Sequence, residues 1–231
     1  DDGRYTIRYF TPTKEIELCG HATMATAAIL FDGESSLLET SSSDIQFDTL
    51  YGESLHCTYC NGEIAMRFPS DTNVRKIRDC GLTQAFRGEH TIEAVYEGRY
   101  DIMVVMTHAC DVQKLQVDMN VLEAVTQMKG KRGVIVTSAS DNGDGVDFVS
   151  RFFAPAAGIP EDPVTGSAHC TLGPYWKSVL NKSPDTRLVG RQVGPKRQGT
   201  VRVRCVDEKT VEISGHAVIV SKTIFYPSIF D

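Results

Sequence analysis

The sequence lacks the signals of several common protein classes. No apolar run approaches the roughly 20 residues that a membrane-spanning helix needs, so we predict no membrane association. Basic residues are not in excess: 24 Lys and Arg stand against 30 Asp and Glu, and the net charge is −6. This balance disfavours general nucleic-acid binding. Neither a Gly-x-Gly-x-x-Gly fingerprint nor a P-loop is present, so we expect no cofactor.

Cysteine is present but follows no pattern. The seven cysteines are an odd number without a paired framework, and no secretory signal is visible. Reduced thiols in a cytoplasmic protein are therefore our interpretation. The Cys57-x-x-Cys60 motif lies in an alternating strand that runs into an Asn-Gly turn, not at a helix start where a redox thiol gains its low pKa. His56 precedes it, yet no fourth ligand is spaced nearby, so we predict no metal site.

The sequence does contain an internal repeat with an offset of 143 residues. The segment IRYFTP (Ile7–Pro12) recurs as SRFFAP (Ser150–Pro155), and a loop with an acid, a glycine and a run of small residues follows each copy. Both copies are typical of a strand, a loop and a helix. The helix after Gly20 is almost entirely apolar or small, so we expect it to be buried on every side. Gly173-Pro174 is expected to kink or interrupt the second helix.

The rest of the chain is mostly strand-like, with one further helix predicted over Val121–Gly130. The basic stretch from Arg187 to Arg204 alternates Arg with Val, which favours the exposed face of a strand over an anion-binding patch. The sequence thus predicts an α+β protein of two pseudo-symmetric lobes, each a curved, mostly antiparallel sheet around a central helix. The lobes are predicted over 1–130, with the option of completion by a C-terminal strand, and 131–231; an exchange of strands would move the boundary to 70–90.

The two strand-to-helix turns carry the candidate functional residues. If the lobes pack symmetrically, the turns face each other across a cleft, and helix N-termini there would suit a small carboxylate. A histidine from one turn and a carboxylate from the other are suitable acid–base partners. The first turn supplies Glu15, Glu17, Cys19, Gly20 and His21. The second supplies Glu161, Asp162, Thr165, Gly166, Ser167 and His169.

Structural alternatives remain open for the same residues. Asp162 is also suited to a helix cap, His21 to a satisfied histidine at a helix start, and Glu161 to simple exposure to solvent. Cys110 and Cys170 are expected to be small buried side chains. A serine hydrolase is disfavoured, because TGSAH is not the Gly-x-Ser-x-Gly motif of a nucleophile elbow.

The segments RYFTPTKEIELCGHATMATAAILF and RFFAPAAGIPEDPVTGSAHCTL resemble the two signature regions of the PhzF-like (phenazine biosynthesis-like) family. LCGHAT and EDPVTGSAH are especially similar to its eukaryotic branch around MAWD-binding protein. The resemblance implies a diaminopimelate-epimerase-like fold with barrel-like lobes. It also implies a cofactor-independent isomerase that moves a proton on a small carboxylic acid. By motif, the catalytic residues are His21, Asp162 and Ser167, and we assign substrate binding to the segment's Gly20, Ala22, Thr165 and Gly166.

The resemblance also raises an expectation about a missing group. The family's principal proton shuttle is a glutamate in an N-L-S-E segment before the first signature, and these 231 residues contain no such segment. We therefore expect the chain to be incomplete for catalysis, with a homodimer or a complementing N-terminal fragment as the partners left open. The alternative is a catalytically inactive binding protein with the same fold. A two-thiol racemase is disfavoured, because Cys19 occupies the first thiol position but Thr165 the second.

Overall fold

The computed structural model describes residues 3–10, 15–16, 19–32, 43–52, 54–79, 81–141, 143–194 and 197–223. Its contacts divide the chain into two compact units. Unit 1 contains residues 1–66 and 216–231, and unit 2 contains residues 67–215. Strands on both sides of residue 130 pair within unit 2. The predicted lobes over 1–130 and 131–231 stay a prediction.

In the part of unit 1 that the structure describes, there are a four-stranded sheet, a small hairpin and one α-helix. The sheet has the order β1-β4-β5-β6, with β1 and β4 parallel and the other neighbours antiparallel. The turn between β5 and β6 has positive φ at Asn61 (52°) and Gly62 (82°), as a tight hairpin requires, which confirms the Asn-Gly prediction. The elements are β1 (Arg4–Ile7), β2 (Tyr9–Phe10), β3 (Glu15–Ile16), α1 (Gly20–Phe31), β4 (Asp44–Thr49), β5 (Ser54–Cys60) and β6 (Glu63–Pro69), the last of which runs on into unit 2.

The prediction that α1 is buried on every side is wrong. The helix buries one face, formed by Thr23, Ala27 and Leu30, which recur at the spacing of one side of a helix. The opposite side is exposed to solvent at Ala25 and Ile29. An apolar composition shows that a helix can be buried, but it does not say how many of its faces have neighbours.

Among its described residues, unit 2 is a larger mixed sheet with three α-helices. Its strand order is β17-β16-β15-β13-β12-β10-β9-β7, with β14 paired to β13 and a separate β8-β11 pair. The β10–β12 and β13–β15 pairs are parallel and the others are antiparallel. The strands are β7 (Arg75–Ile77), β8 (Phe86–Arg87), β9 (Ile92–Glu97), β10 (Asp101–Met106), β11 (Gln116–Val117), β12 (Gly133–Ala139), β13 (Phe148–Ala154), β14 (Ile159–Asp162), β15 (Arg187–Gln192), β16 (Gly199–Cys205) and β17 (Thr210–Gly215). The helices are α2 (Ala109–Lys114), α3 (Met119–Met128) and α4 (His169–Val179).

Burial in this sheet follows the sequence pattern. Strands β10 and β13 are buried at every residue, as expected for central strands with covered faces. Strand β15 alternates buried with more exposed residues, which confirms that its arginines lie on the wetter face. The predicted helix is confirmed as α3, which begins after the capping carboxylate of Asp118 and ends before Gly130, where φ is 61°. The short helix α2 was not predicted.

Helix α4 is continuous through Pro174, so of the predicted kink or interruption, the interruption does not occur. Proline has no N–H and therefore leaves the carbonyl oxygen one turn earlier without its helical donor. That oxygen belongs to Cys170, and it accepts a hydrogen bond from the backbone N–H of Asp71 at 2.9 Å. A donor from a segment distant in sequence thus replaces the missing helical bond.

Within the described part of the chain, no helix is both long and apolar enough to cross a membrane.

Candidate active site

The internal repeat is preserved as a set of contacts around its first arginine. In unit 1, Arg8 donates two hydrogen bonds to the carboxylate of Glu15, both at 2.9 Å, and lies 4.8 Å from the ring centre of Phe10. The pairing lowers the pKa of Glu15 through the hydrogen bonds from Arg8. Glu15 is therefore held as a carboxylate in an ion pair, which is poorly suited to carrying a proton.

The second copy repeats this arrangement in unit 2. Arg151 donates to the carboxylate of Glu161 at 2.7 and 2.9 Å and lies 4.8 Å from the ring centre of Phe153. Its remaining arm donates to the backbone oxygens of Val112 (3.3 Å) and Leu115 (2.6 Å). Glu161 therefore does not simply face solvent, as the sequence suggested; it neutralises an arginine that is only 6% exposed.

Both helix starts are also tied back in the same way. In unit 1, the hydroxyl of Thr23 donates to the carbonyl of Cys19 at 2.9 Å, four residues earlier. In unit 2, Nδ1 of His169 lies 2.9 Å from the carbonyl of Thr165, again four residues earlier. The repeat therefore has the same contacts in each unit. Each copy has an arginine–glutamate pair, and in each copy a side chain lies within hydrogen-bond distance of the carbonyl four residues earlier, at the residue before the first helical turn.

The first turn exposes its histidine at the start of α1. The helix begins at Gly20, and His21 is exposed, while Gly20 and Ala22 are half-buried. The thiol of Cys19 lies 3.3 Å from Nε2 of His21. Cys19 precedes the helix in an extended conformation and makes no side-chain cap. His21 is thus accessible to solvent, with the Cys19 thiol within contact distance of its ring. Glu17, the other acid of this turn, lies outside the described residues.

In the second turn, a hydrogen-bond network holds Asp162. Oδ2 of Asp162 accepts from the hydroxyl of Thr165 at 2.6 Å, and its backbone oxygen accepts from the side-chain amide of Gln192 at 2.6 Å. The cap interpretation is not supported, because the partner of the carboxylate is a hydroxyl and the helical turn after Thr165 has no side-chain cap. The network fixes the carboxylate at the entrance to the helix.

Thr165 makes hydrogen bonds within the protein through both its backbone and its side chain. Its backbone N–H donates to Oε1 of Gln192 at 2.7 Å, its hydroxyl is bound to Asp162, and its carbonyl is bound to His169. The backbone amide of Thr165 therefore already has a partner in the protein, and the substrate-binding role of Thr165 stays a prediction. Gly166 differs: a Cβ added there would meet no atom within 4 Å, so its backbone borders open space.

Ser167 belongs to a second network, which involves a charged pair. Its hydroxyl oxygen accepts from Nη1 of Arg132 at 2.8 Å. Arg132 in turn donates to both carboxylate oxygens of Asp101, at 3.0 and 2.5 Å. Burial alone would lower the pKa of Arg132, but the hydrogen bonds and charge of Asp101 outweigh burial, and the pKa is raised. The guanidinium therefore stays charged beside Ser167.

The remaining histidine and cysteine candidates differ in how deeply they are buried. His169 is fully buried, and burial lowers its pKa to about 4, so it is neutral near pH 7. Cys170 is a small buried side chain, as predicted, and burial raises its pKa to about 12. Cys110 is exposed, contrary to prediction. Cys57 is buried with a pKa raised by burial to about 12, and the described residues contain no group of three or more ligands suited to a metal ion.

The structure brings Asp162, Thr165, Gly166 and Ser167 together in unit 2, and Gly20, His21 and Ala22 together in unit 1. That the two sets form one site stays a prediction. Sequence reasoning missed Gln192, Arg132 and Asp101. No motif marks them, because the strands that bring them to the turn are distant in sequence, and only the register of the sheet reveals them.

Matches to solved structures identify the fold class of this protein. A predicted epimerase from Pseudomonas aeruginosa, 18% identical, shares the fold with a TM-score of 0.63 over 96% of this chain and 82% of that one. The crystal structure of a phenazine biosynthesis protein of the PhzF family from Enterococcus faecalis matches with a TM-score of 0.81 and 36% identity, over 96% of this chain and 78% of that one. These matches confirm the predicted α+β, epimerase-like fold.

The chain belongs to the phenazine biosynthesis-like (PhzC-PhzF) family, whose model matches residues 1–223. An uncharacterised isomerase from Halalkalibacterium halodurans is 36% identical over 223 residues, which are 95% of this chain and 77% of that protein. Phenazine biosynthesis-like domain-containing protein 1 of Mus musculus is 33% identical over 232 residues, 94% of this chain and 76% of that protein. The predicted resemblance to this family, mammalian members included, is confirmed.

Proposed function

We propose that this chain carries the site of an isomerase that moves a proton on a small carboxylic acid without a cofactor. Asp162 and His21 position and polarise the substrate, and Ser167 and the backbone amides at Gly20 and Gly166 bind its carboxylate. Relatives that are named isomerases support the reaction class. The site residues rest on the motifs and on the geometry of each turn.

The observation that carries this proposal is the construction of the second turn. Asp162 and Ser167 are held by separate networks, one through Thr165 and Gln192 and one through Arg132. Oδ1 of Asp162 has no partner among the residues that the structure describes, and Gly166 between them borders open space. A carboxylate and a hydroxyl fixed on either side of an open backbone form a site that can orient a small polar molecule before it reacts.

The reaction needs a base that removes a proton from carbon. We propose that this base is a glutamate outside these 231 residues, as the resemblance implies. Such a group acts with Asp162 and His21 on the same substrate, because proton transfer requires the donor, the acceptor and the carbon within hydrogen-bond reach. Asp162 would hold the substrate and His21 would stabilise the developing negative charge.

The test is the incorporation of solvent deuterium into small carboxylic acids in D2O, followed by mass spectrometry. The panel contains 2-amino, 2-hydroxy and β,γ-unsaturated acids, and the longest product of the gene that contains this chain is assayed beside the chain itself. We expect at least one acid to exchange with the longer product. Asp162→Asn and His21→Gln should each lower the rate by about 100-fold or more, while Asp144→Asn and His56→Gln, both at exposed positions, serve as matched controls.

If the folded protein incorporates deuterium into none of the acids, the proposal is overturned. If an acid of the panel then still binds, measured by calorimetry, the alternative of a catalytically inactive binding protein is favoured instead. Equal rates for Asp162→Asn and Asp144→Asn would retain an enzyme but reject the assigned site.

A further inference from the structure

Arg132 is fixed beside the second turn by the register of two strands. Asp101 begins β10, and Gly133, the residue after Arg132, begins β12; Asp101 and Gly133 are direct partners in this parallel pair. The backbone N–H of Arg132 also donates to the carbonyl of Tyr100 at 2.7 Å. The backbone of Arg132 is therefore held next to the buried carboxylate of Asp101, which is 4% exposed.

The guanidinium itself has little freedom. Asp101 accepts from Nε and Nη2, which fixes the plane of the group, and the ring of Phe152 lies 5.1 Å from its central carbon. A two-bond contact with a carboxylate sets both the distance and the orientation of an arginine. The side chain is still 39% exposed, so the end that carries Nη1 reaches beyond the buried pair to Ser167.

The contact between Nη1 and Ser167 determines the role of the hydroxyl. A guanidinium has donors and no acceptor, so the oxygen of Ser167 must accept this hydrogen bond. The single hydroxyl proton of Ser167 is then directed away from Arg132. A serine next to a water or another hydroxyl could alternate between donating and accepting, but a guanidinium can only donate, so the direction of this bond is fixed.

We propose that Arg132 is a positioning residue, which orients the Ser167 hydroxyl as a hydrogen-bond donor toward the substrate carboxylate, and that Asp101 holds Arg132 in place for this task. The inference rests on the proposed function, because it names the group that prepares a residue of the same site. Arg132 acts through Ser167 and has no role in proton transfer. A lysine would not replace it, because an ammonium cannot bind Asp101 through two parallel bonds and reach Ser167 at once.

The first experiment requires no activity. In Ser167→Cys, the introduced thiol replaces the hydroxyl beside Nη1, and its pKa is measured from the pH dependence of alkylation by iodoacetamide, with the modified peptide resolved by mass spectrometry. We expect a thiol pKa at least about one unit lower than in Ser167→Cys/Arg132→Met, since a neighbouring cation favours the thiolate. Ser167→Cys/Arg75→Met is the matched control: it removes an exposed arginine, paired with Glu97, and should leave the thiol pKa unchanged.

If Arg132→Met fails to fold because Asp101 is left unpaired, Asp101→Leu/Arg132→Met removes both charges and takes its place. The same thiol pKa with and without Arg132 overturns the assignment, whatever the exchange assay gives.

The second experiment measures the role in binding by the deuterium exchange described above. Arg132→Met and Arg132→Lys are expected to raise KM for the exchanging acid by about tenfold, with kcat within about threefold, while Arg75→Met changes neither. Unchanged KM values for both variants overturn the proposal even if the thiol pKa responds to Arg132. If the parent protein incorporates deuterium into none of the acids, the proposed function is refuted, and with it the role of Arg132 in substrate binding. The thiol pKa then still shows whether Arg132 acts on the side chain at position 167. The two failures are therefore distinguishable.

Discussion

Removing the carboxylate of Glu161 should destabilise unit 2 strongly. Arg151 is 6% exposed, and Glu161 supplies two of its four observed hydrogen bonds and its neutralising charge. In Glu161→Ala, the guanidinium keeps the hydrogen bonds to the carbonyls of Val112 and Leu115 and the ring contact with Phe153, but no carboxylate. An uncompensated charge then remains in the interior, where water reaches it poorly.

The magnitude follows from this geometry. Breaking a buried ion pair by removing one partner costs about 3–5 kcal/mol. The side chain of Glu161 is 18% exposed, and two carbonyl oxygens still solvate the arginine, so we expect about 3 kcal/mol, the lower end of this range. Glu161→Gln keeps one acceptor and should cost about 1–2 kcal/mol. The Asp144–Arg191 pair, in which both side chains are about one third exposed, is the control, and Asp144→Ala should cost about 1 kcal/mol or less.

The assay is urea unfolding at pH 7, read by tryptophan fluorescence. The sequence has a single tryptophan; it is Trp176, which is 3% exposed and stacked on Phe148 within unit 2. The signal therefore reports on the unit that contains the ion pair. If Glu161→Ala costs no more than Asp144→Ala, the reasoning is refuted and Glu161 is a surface residue after all.

Three other substitutions test packing and protonation. Gly166→Ala should leave the unfolding free energy within about 0.5 kcal/mol but slow deuterium exchange, because the added methyl enters open space at the site. Gly173→Ala should cost about 1–3 kcal/mol in the same urea assay, because its Cβ would lie 2.7 Å from Cγ2 of Val203. Burial lowers the pKa of His169 to about 4, so between pH 6.5 and 4 only the unfolded chain binds a proton at this residue. As the pH decreases through this range, the free energy of unfolding should fall by about 1.4 kcal/mol per pH unit. Unfolding curves of His169→Gln should lose this dependence, whereas those of His56→Gln, at an exposed position, should keep it.

Local patterns predicted much of the fold. The Asn61-Gly62 hairpin, the alternating strands and α3 depend on turn chemistry and side-chain periodicity that a short segment contains in full. The internal repeat was also visible, because Arg8 and Arg151 stand in the same short motif. The interactions of the repeat could not be predicted from the motif. The pairing of each arginine with a glutamate, and the side-chain contact with the carbonyl before each helical turn, are seen only in the structure.

The errors concern neighbours that a local pattern does not contain. Pro174 was expected to kink or interrupt α4, but the helix is not interrupted, because a distant N–H, that of Asp71, satisfies the carbonyl oxygen that proline leaves free. The faces of α1 that have neighbours were not readable from its composition. In the candidate site, Asp162 and Ser167 were predicted by motif, whereas Arg132 was missed because only the register of β10 and β12 brings it to the serine.

The central claim is that the residues of the two turns move a proton on a small carboxylic acid. The most direct measurement is the rate of solvent deuterium exchange into the responsive acid, compared between the parent protein and Asp162→Asn. The two proteins are assayed at equal concentration, after urea unfolding has shown that their unfolding free energies are equal. The account predicts exchange by the parent and a loss of about 100-fold or more in the variant. Exchange at the same rate in both proteins would contradict it.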